Sequence, residues 1–233
     1  MNPTRINILG EDYFLYSQRG ADSEKQSVSK ADANKVLLLP SLAYDFSVKS
    51  YGKDGKEEKH NPAAALAAAA HLTLVRGLPI KEFSFELADG NIEVFCTGDG
   101  FFEIEIPKCK VLFTGAAEIF GCEVHYTDVF AFGVHRVVAT ENISNADAST
   151  LAALINVGRY LPDALLFSSL SDGELEILPY TDFNPTPPPR LLLYTAAYLA
   201  NRKSHGEFFA KDGSLSLRRD YSSVHLRVKC EIK

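Results

Sequence analysis

Two segments far apart in the chain repeat one pattern, and this repetition constrains the fold more than any single motif. Asp89, Gly90, Ile92 and Val94 are matched by Asp212, Gly213, Leu215 and Leu217 at one constant offset, and Phe102, Ile104 and Ile106 are then answered by Val224, Leu226 and Val228. Asp-Gly between runs of period two is a hairpin signal, so each copy holds at least three strands. A helix-forming segment precedes each hairpin, over 63–75 and 190–202. The expected architecture is therefore one α+β unit used twice, with the boundary between Thr114 and Gly121 and domains at 1–117 and 118–233. In each, a mixed, mostly antiparallel sheet curls around a central helix. A chain of 233 residues can bury two such cores.

Local chemistry supports the helices. Asn61 can accept a hydrogen bond from a first-turn amide, Pro62 suits the first helical position, and Gly77 supplies a stop. Residues 63–75 are apolar all round, which requires enclosure rather than a surface position. Pro187, Pro188 and Pro189 open the second helix, and 148–161 reads as a third. Strands are expected within 6–16, over 36–39 and 44–51, within 81–106 and 124–139, and over 174–180. The polar stretch 18–35 reads as a surface loop.

Charge and composition exclude several function classes. With 24 Lys and Arg against 30 Asp and Glu, the formal charge of −6 opposes binding to nucleic acid or to anionic membranes. No apolar run approaches the roughly 20 residues of a bilayer span. The start of the chain lacks the apolar core of an export signal. Cys96, Cys109, Cys122 and Cys230 show no metal-ligand spacing and read as reduced, buried residues of a cytoplasmic protein. There is no P-loop, GxGxxG, HExxH or GxSxG, so no cofactor and no metal is expected.

Several stretches in order resemble diaminopimelate epimerase. Leu9-Gly10-Glu11-Asp12-Tyr13 is similar to that family's LGNDF. Asp45-Phe46 through Tyr51, the turn at Asp54-Gly55, Glu57 and Arg76-Gly77-Leu78 resemble its DFxxRxFNxDGSE, helix and KGL. Gly133-Val134-His135-Arg136-Val137-Val138 resembles GNPHxV, and Tyr180 sits where the family has Tyr-Glu-Arg. The resemblance implies two similar domains with the active site between them, and helix N-termini aimed into it. It also implies a cysteine at each helix start, one removing and the other returning a proton at an amino acid's α-carbon. Both cysteines are absent here: the first would fall at Asn61 or Pro62 and the second between Arg190 and Leu193. A sister family of phenazine-biosynthesis-like isomerases, like proline racemase a relative, uses a carboxylate instead. Its GHAT helix start resembles the run from His60 to Leu66, although its acidic residue and Gly-His order are not reproduced.

The leading expectation is a protein of this fold, serving amino acid metabolism, that has lost the two-cysteine reaction. It would keep at most a cleft for a small carboxylate or amino-acid-like ligand. By the resemblance, the substrate-binding candidates are Glu11, Asn61, Ala63, His135 and Thr195. The alternatives are a cofactor-independent isomerase or racemase with non-cysteine acid/base groups, for which His60 and Asp182 are the candidates, and a scaffold. His71, in mid-helix, reads as a hydrogen-bonded core histidine. A homodimer is compatible with the sequence but not required by it.

Overall fold

The computed structural model describes residues 3–17, 33–59, 61–88, 90–180, 182–184, 187–201, 207–211, 213–220 and 223–233. Asp89 and Asp212 of the repeat, and all but the end of the polar stretch, lie outside these. The chain forms two compact units, Met1–Glu105 with Leu226–Lys233, and Ile106–His225. The repeat places its boundary at 117/118. The compact units divide earlier and return Leu226–Lys233 to the first, because the final strand pairs with the first strand of the chain.

In the first unit, β1 (Thr4–Ile8) and β2 (Glu11–Ser17) form an antiparallel hairpin. Its turn holds Leu9 and Gly10 at φ of 52° and 81°. β3 (Asn34–Leu39) runs parallel to β2 and β4 (Phe46–Tyr51) antiparallel to β3, with the two-residue β5 (Glu57–Glu58) beside β4. After the helix α1 (Pro62–Ala70), β6 (Glu82–Leu87) runs parallel to β4. β7 (Gly90–Gly98) and β8 (Phe101–Ile106) follow as antiparallel neighbours. The final strand β16 (Ser223–Ile232) neighbours both β8 and β1, which closes a ring of eight strands.

All nine residues of α1 are buried, and α1 packs on β1, β2, β3, β4 and β7. An all-round apolar helix needs cover all round, and alanine lets strands approach closely. The α-helix ends sooner than expected. His71–Val75 form a wider π turn, and Arg76 and Gly77 (φ 67°) then end the helix. His71 is the anticipated core histidine: Nδ1 lies 3.0 Å from Thr4 Oγ1, and Nε2 accepts from Arg76 Nε at 3.3 Å.

The second unit uses the same order of pairings. β9 (Lys110–Ile119) and β10 (Cys122–Phe130) form a long hairpin, β11 (Val134–Ala139) is antiparallel to β10, and β12 (Ala164–Ser171) is parallel to β11. β13 (Glu174–Tyr180) is antiparallel to β12, β14 (Phe208–Ala210) parallel to β13, and β15 (Leu215–Asp220) antiparallel to β14. The short helix α2 (Ala148–Ala153) packs on β12 and β13, and α3 (Arg190–Ala200) on β9 to β13. Strands outweigh the helices throughout, which corrects the expected α+β balance towards a mostly β fold. No helix among the described residues is long and apolar enough to cross a membrane.

α2 spans less than half of the predicted 148–161, and the cause is a residue distant in sequence. Arg136 is fully buried on β11, and its Nη1 donates to the carbonyl of Leu154 at 2.5 Å. Its Nη2 donates to the carbonyl of Tyr160 at 2.9 Å. Carbonyls drawn into these bonds leave the helical ladder, and the chain wraps around the guanidinium. Gly158 permits the wrap: its φ is 81°, and a Cβ there would meet Tyr126 Oη at 2.5 Å and Arg136 Nη2 at 3.2 Å. Gly158→Ala is therefore expected to cost more than about 1 kcal/mol. A urea titration checks this, showing a lower midpoint with unchanged slope.

Candidate functional site in the first unit

The polar groups of greatest chemical interest gather where the chain enters α1. Glu11 and Tyr13 share one face of β2 because strand side chains alternate. The β4–β5 hairpin sets Glu58 opposite Ser50, whose hydroxyl donates to the Glu58 carbonyl at 3.1 Å. Asn61 then caps the helix, as anticipated: its Oδ1 accepts from the Ala64 amide at 3.1 Å. Its Nδ2 donates to Glu58 Oε2 at 2.5 Å, and the Tyr13 hydroxyl donates to Glu11 Oε2 at 3.0 Å. Asn61 also bonds the Tyr13 phenol, so Glu11, Tyr13, Asn61 and Glu58 form one connected set.

Electrostatics separates these groups. Burial raises the Glu58 carboxyl above its ordinary range, and the negative charges of Glu11 and Asp54 add to the rise, while hydrogen bonds from Asn61 and Ser50 oppose it. Asp54 is close: the position a Gly52 Cβ would take lies 3.1 Å from Glu58 Oε1 and 3.2 Å from Asp54 Oδ1. Tyr13 is fully buried, and burial together with Glu11 and Glu58 pushes its phenol well above the ordinary value, so it stays a neutral donor. A partly desolvated carboxyl with an elevated pKa is suited to general acid/base work.

Of the sequence-predicted residues, Glu11, Asn61 and Ala63 come together here. His60 lies outside the described residues. Asp182 is exposed in a turn of the second unit. Thr195 is buried within α3, its hydroxyl donating to the Leu191 carbonyl at 2.9 Å. His135 is buried in β11 with Nε2 3.0 Å from the Ala131 carbonyl. Glu58 and Tyr13 escaped the sequence reading. The usable signal was the Lys53-Asp54-Gly55 turn, which folds Glu58 back beside Ser50 and towards the helix start.

The cysteines divide differently from expectation. All four are free, but Cys122 is exposed and Cys96 partly so, and Cys109 and Cys230 alone are buried. Burial pushes the Cys109 thiol up to about 12 and raises that of Cys230 further. None lies in the first turn of a helix.

His71 and His135 make stability depend on pH. Burial lowers both pKa values, assisted at His71 by the nearby Arg76 charge and opposed at His135 by the Ala131 carbonyl and Asp163. A depressed folded pKa means stability that is complete above the unfolded value of about 6.5 and is lost as pH falls through the folded values. The part of the stability that depends on these two histidines is thus expected to fall between about pH 7.5 and 5.5, seen as the difference in denaturant midpoint from a variant lacking both. A double His71→Gln, His135→Gln variant should lose that component, whatever its absolute stability.

No protein-family model matches the chain, and no curated protein matches its sequence. Solved structures do match its fold. A phenazine biosynthesis protein of the PhzF family from Enterococcus faecalis superposes with a TM-score of 0.71 at 12% identity, covering 100% of this chain and 97% of that one. A PhzF-family protein of Bacillus anthracis gives 0.67 at 9% identity, with coverages of 99% and 96%. A hydroxyproline epimerase from Agrobacterium vitis, with bound trans-4-hydroxy-L-proline, gives 0.64 at 13%, with coverages of 100% and 90%. The resemblance to diaminopimelate epimerase is thereby met at the level of fold, on the side of its phenazine-biosynthesis and proline-racemase relatives. The chain has the fold shared by PhzF-family proteins and the hydroxyproline epimerase.

Proposed function

We propose that this chain is a cofactor-independent isomerase that moves a proton at a carbon activated by a carboxylate, with Glu58 as its acid/base group. The observation that carries the reading is the partly buried Glu58 carboxyl, held by Asn61 at the start of α1 and raised in pKa. As carboxylate, Glu58 takes the proton: the C–H bond breaks, its electron pair delocalises towards the substrate carboxylate, and an O–H bond forms on Glu58. Return of the proton to the same or a conjugated carbon completes the step. Inversion at carbon needs two opposed groups, whereas a shift on one face needs one, so a double-bond or proton-shift isomerase suits a single Glu58 better than a racemase does. Glu11 suits a substrate ammonium and the Ala63 amide its carboxylate. The names of the fold's solved relatives, an epimerase among them, support the reaction class. The free thiols suit a reducing cytoplasm, and the shared order of pairings suits duplication of one ancestral unit.

A non-catalytic protein of the same fold is the second reading. It is favoured by the closure of the helix start, where Pro62 has no amide hydrogen and the Ala64 amide is already bonded to Asn61. Incubation in D2O with diaminopimelate, proline, hydroxyproline, glutamate and β,γ-unsaturated carboxylates separates the two. Deuterium entering one of them at an enzyme-like rate is the expected result. No incorporation across the panel would leave the second reading.

A further inference from the structure

Gly52 is buried between β4 and β5, yet its backbone does not call for glycine. Its φ lies outside the left-handed region, unlike that of Gly55 in the same turn, at 77°. Backbone bonds fix its place: its amide donates to the Lys56 carbonyl and its carbonyl accepts from the Gly55 amide, both at 2.9 Å. What glycine leaves is room. A Cβ would stand 3.1 Å from Glu58 Oε1 and 3.2 Å from Asp54 Oδ1, tighter than such atoms ordinarily pack. The two carboxyl oxygens therefore border one space at a separation of at most about 6 Å, the range over which a like charge disfavours ionisation. Asp54 is held there. Its Oδ1 accepts from the Lys56 amide at 3.0 Å, and its Oδ2 lies 3.4 Å from Lys56 Nζ, with 21% of the side chain exposed.

We propose that Gly52 is a positioning residue for Glu58: by carrying no side chain it lets Asp54 and Glu58 bring their carboxyls to one space, where Asp54 favours the proton on Glu58. The inference rests on Glu58 as the acid/base group. Glu58 Oε2 accepts from Asn61, and an oxygen that accepts from an N–H is the poorer seat for a proton. Oε1, which borders the space beside Gly52, is the better one. Besides burial, Glu11 on β2 also acts on Glu58 by its charge, while Asn61 and Ser50 oppose it by hydrogen bonds. All three stay unchanged in the variants below, so the differences isolate Asp54.

A carbon-13 NMR titration of the Glu58 carboxyl in the full chain tests this without a substrate, with the resonance assigned by its loss in Glu58→Gln. Asp54→Asn should move the Glu58 midpoint to lower pH. Gly52→Ala keeps a permitted φ but sets a methyl against both oxygens, and the ends of two flexible side chains give way more readily than backbone. In that background Asp54→Asn should move the midpoint by less. An unmoved midpoint in Asp54→Asn, or an equal movement in both backgrounds, would overturn the proposal. Circular dichroism confirms beforehand that the variants are folded. Solvent deuterium incorporation adds a second readout: the rise of rate with pH should follow the Glu58 midpoint downward in Asp54→Asn. A rate profile that stays put while the midpoint moves would count against Glu58 as the reacting group and not against this arrangement of Gly52 and Asp54.

Discussion

Asp128→Ala is expected to lower stability by about 3–5 kcal/mol, or about 10 °C or more in Tm for a chain of this length. Asp128 and Arg136 both have 0% side-chain exposure, and they meet through two bonds, Nε to Oδ1 at 2.7 Å and Nη2 to Oδ2 at 2.9 Å. The guanidinium also lies over the Tyr126 ring, 4.6 Å from its centre. Removing the carboxylate strands a cation that cannot be titrated away, because arginine stays protonated at any accessible pH. The carbonyls of Leu154 and Tyr160 solvate that charge only in part. Asp128→Leu combined with Arg136→Met should recover some of the loss by removing both charges, but not all of it, since those two carbonyls then lose their donor. Thermal melts and urea titrations check both variants. A change below about 1 kcal/mol in Asp128→Ala would show that the pair does not anchor this unit.

The two ends of α2 show what a sequence can reveal about such a fold. Its start is local chemistry: Asp147 Oδ1 accepts from the Ser149 amide at 2.9 Å, a cap readable from adjacent residues. Its end depends on Arg136, which reaches Leu154 from a different strand, and no periodicity within 148–161 encodes that. The same division holds in the first unit. Asn61, Pro62 and the all-round apolar run mark α1 and its burial, because capping and enclosure are properties of one segment. The repeat exposes the hairpins for the same reason. The Glu11, Tyr13 and Glu58 cluster draws on β2, β5 and the helix entrance, so it exists only once the strands have paired. The family resemblance led to the right fold but directed attention to missing cysteines, and Glu58 lies beside the Glu57 that carried the match. The exposure of Cys122 likewise follows from the β9–β10 turn, not from its residue type.

Glu58→Gln should separate function from stability. Gln keeps an oxygen to accept from Asn61 but cannot ionise. Because the folded pKa of Glu58 is raised above the ordinary carboxyl value, its contribution to stability is complete below that value and is lost as pH rises through the folded pKa. Where Glu58 is ionised the wild type therefore bears the cost of a partly desolvated carboxylate, and Gln removes it. The variant is expected to melt above the wild type at pH values where Glu58 is ionised, and at the wild-type temperature near pH 4. A gain in stability on removing a side chain is the mark of a group kept for chemistry. Loss of a general acid/base group typically costs about 10²–10⁴ in rate.

The most direct measurement is the rate of solvent deuterium incorporation into the responsive carboxylate, wild type against Glu58→Gln, at neutral pH and with both proteins folded. The account predicts a fall of about 10²–10⁴-fold in a variant that melts at or above the wild-type temperature. Equal rates in the two proteins would contradict it and remove Glu58 from the reaction.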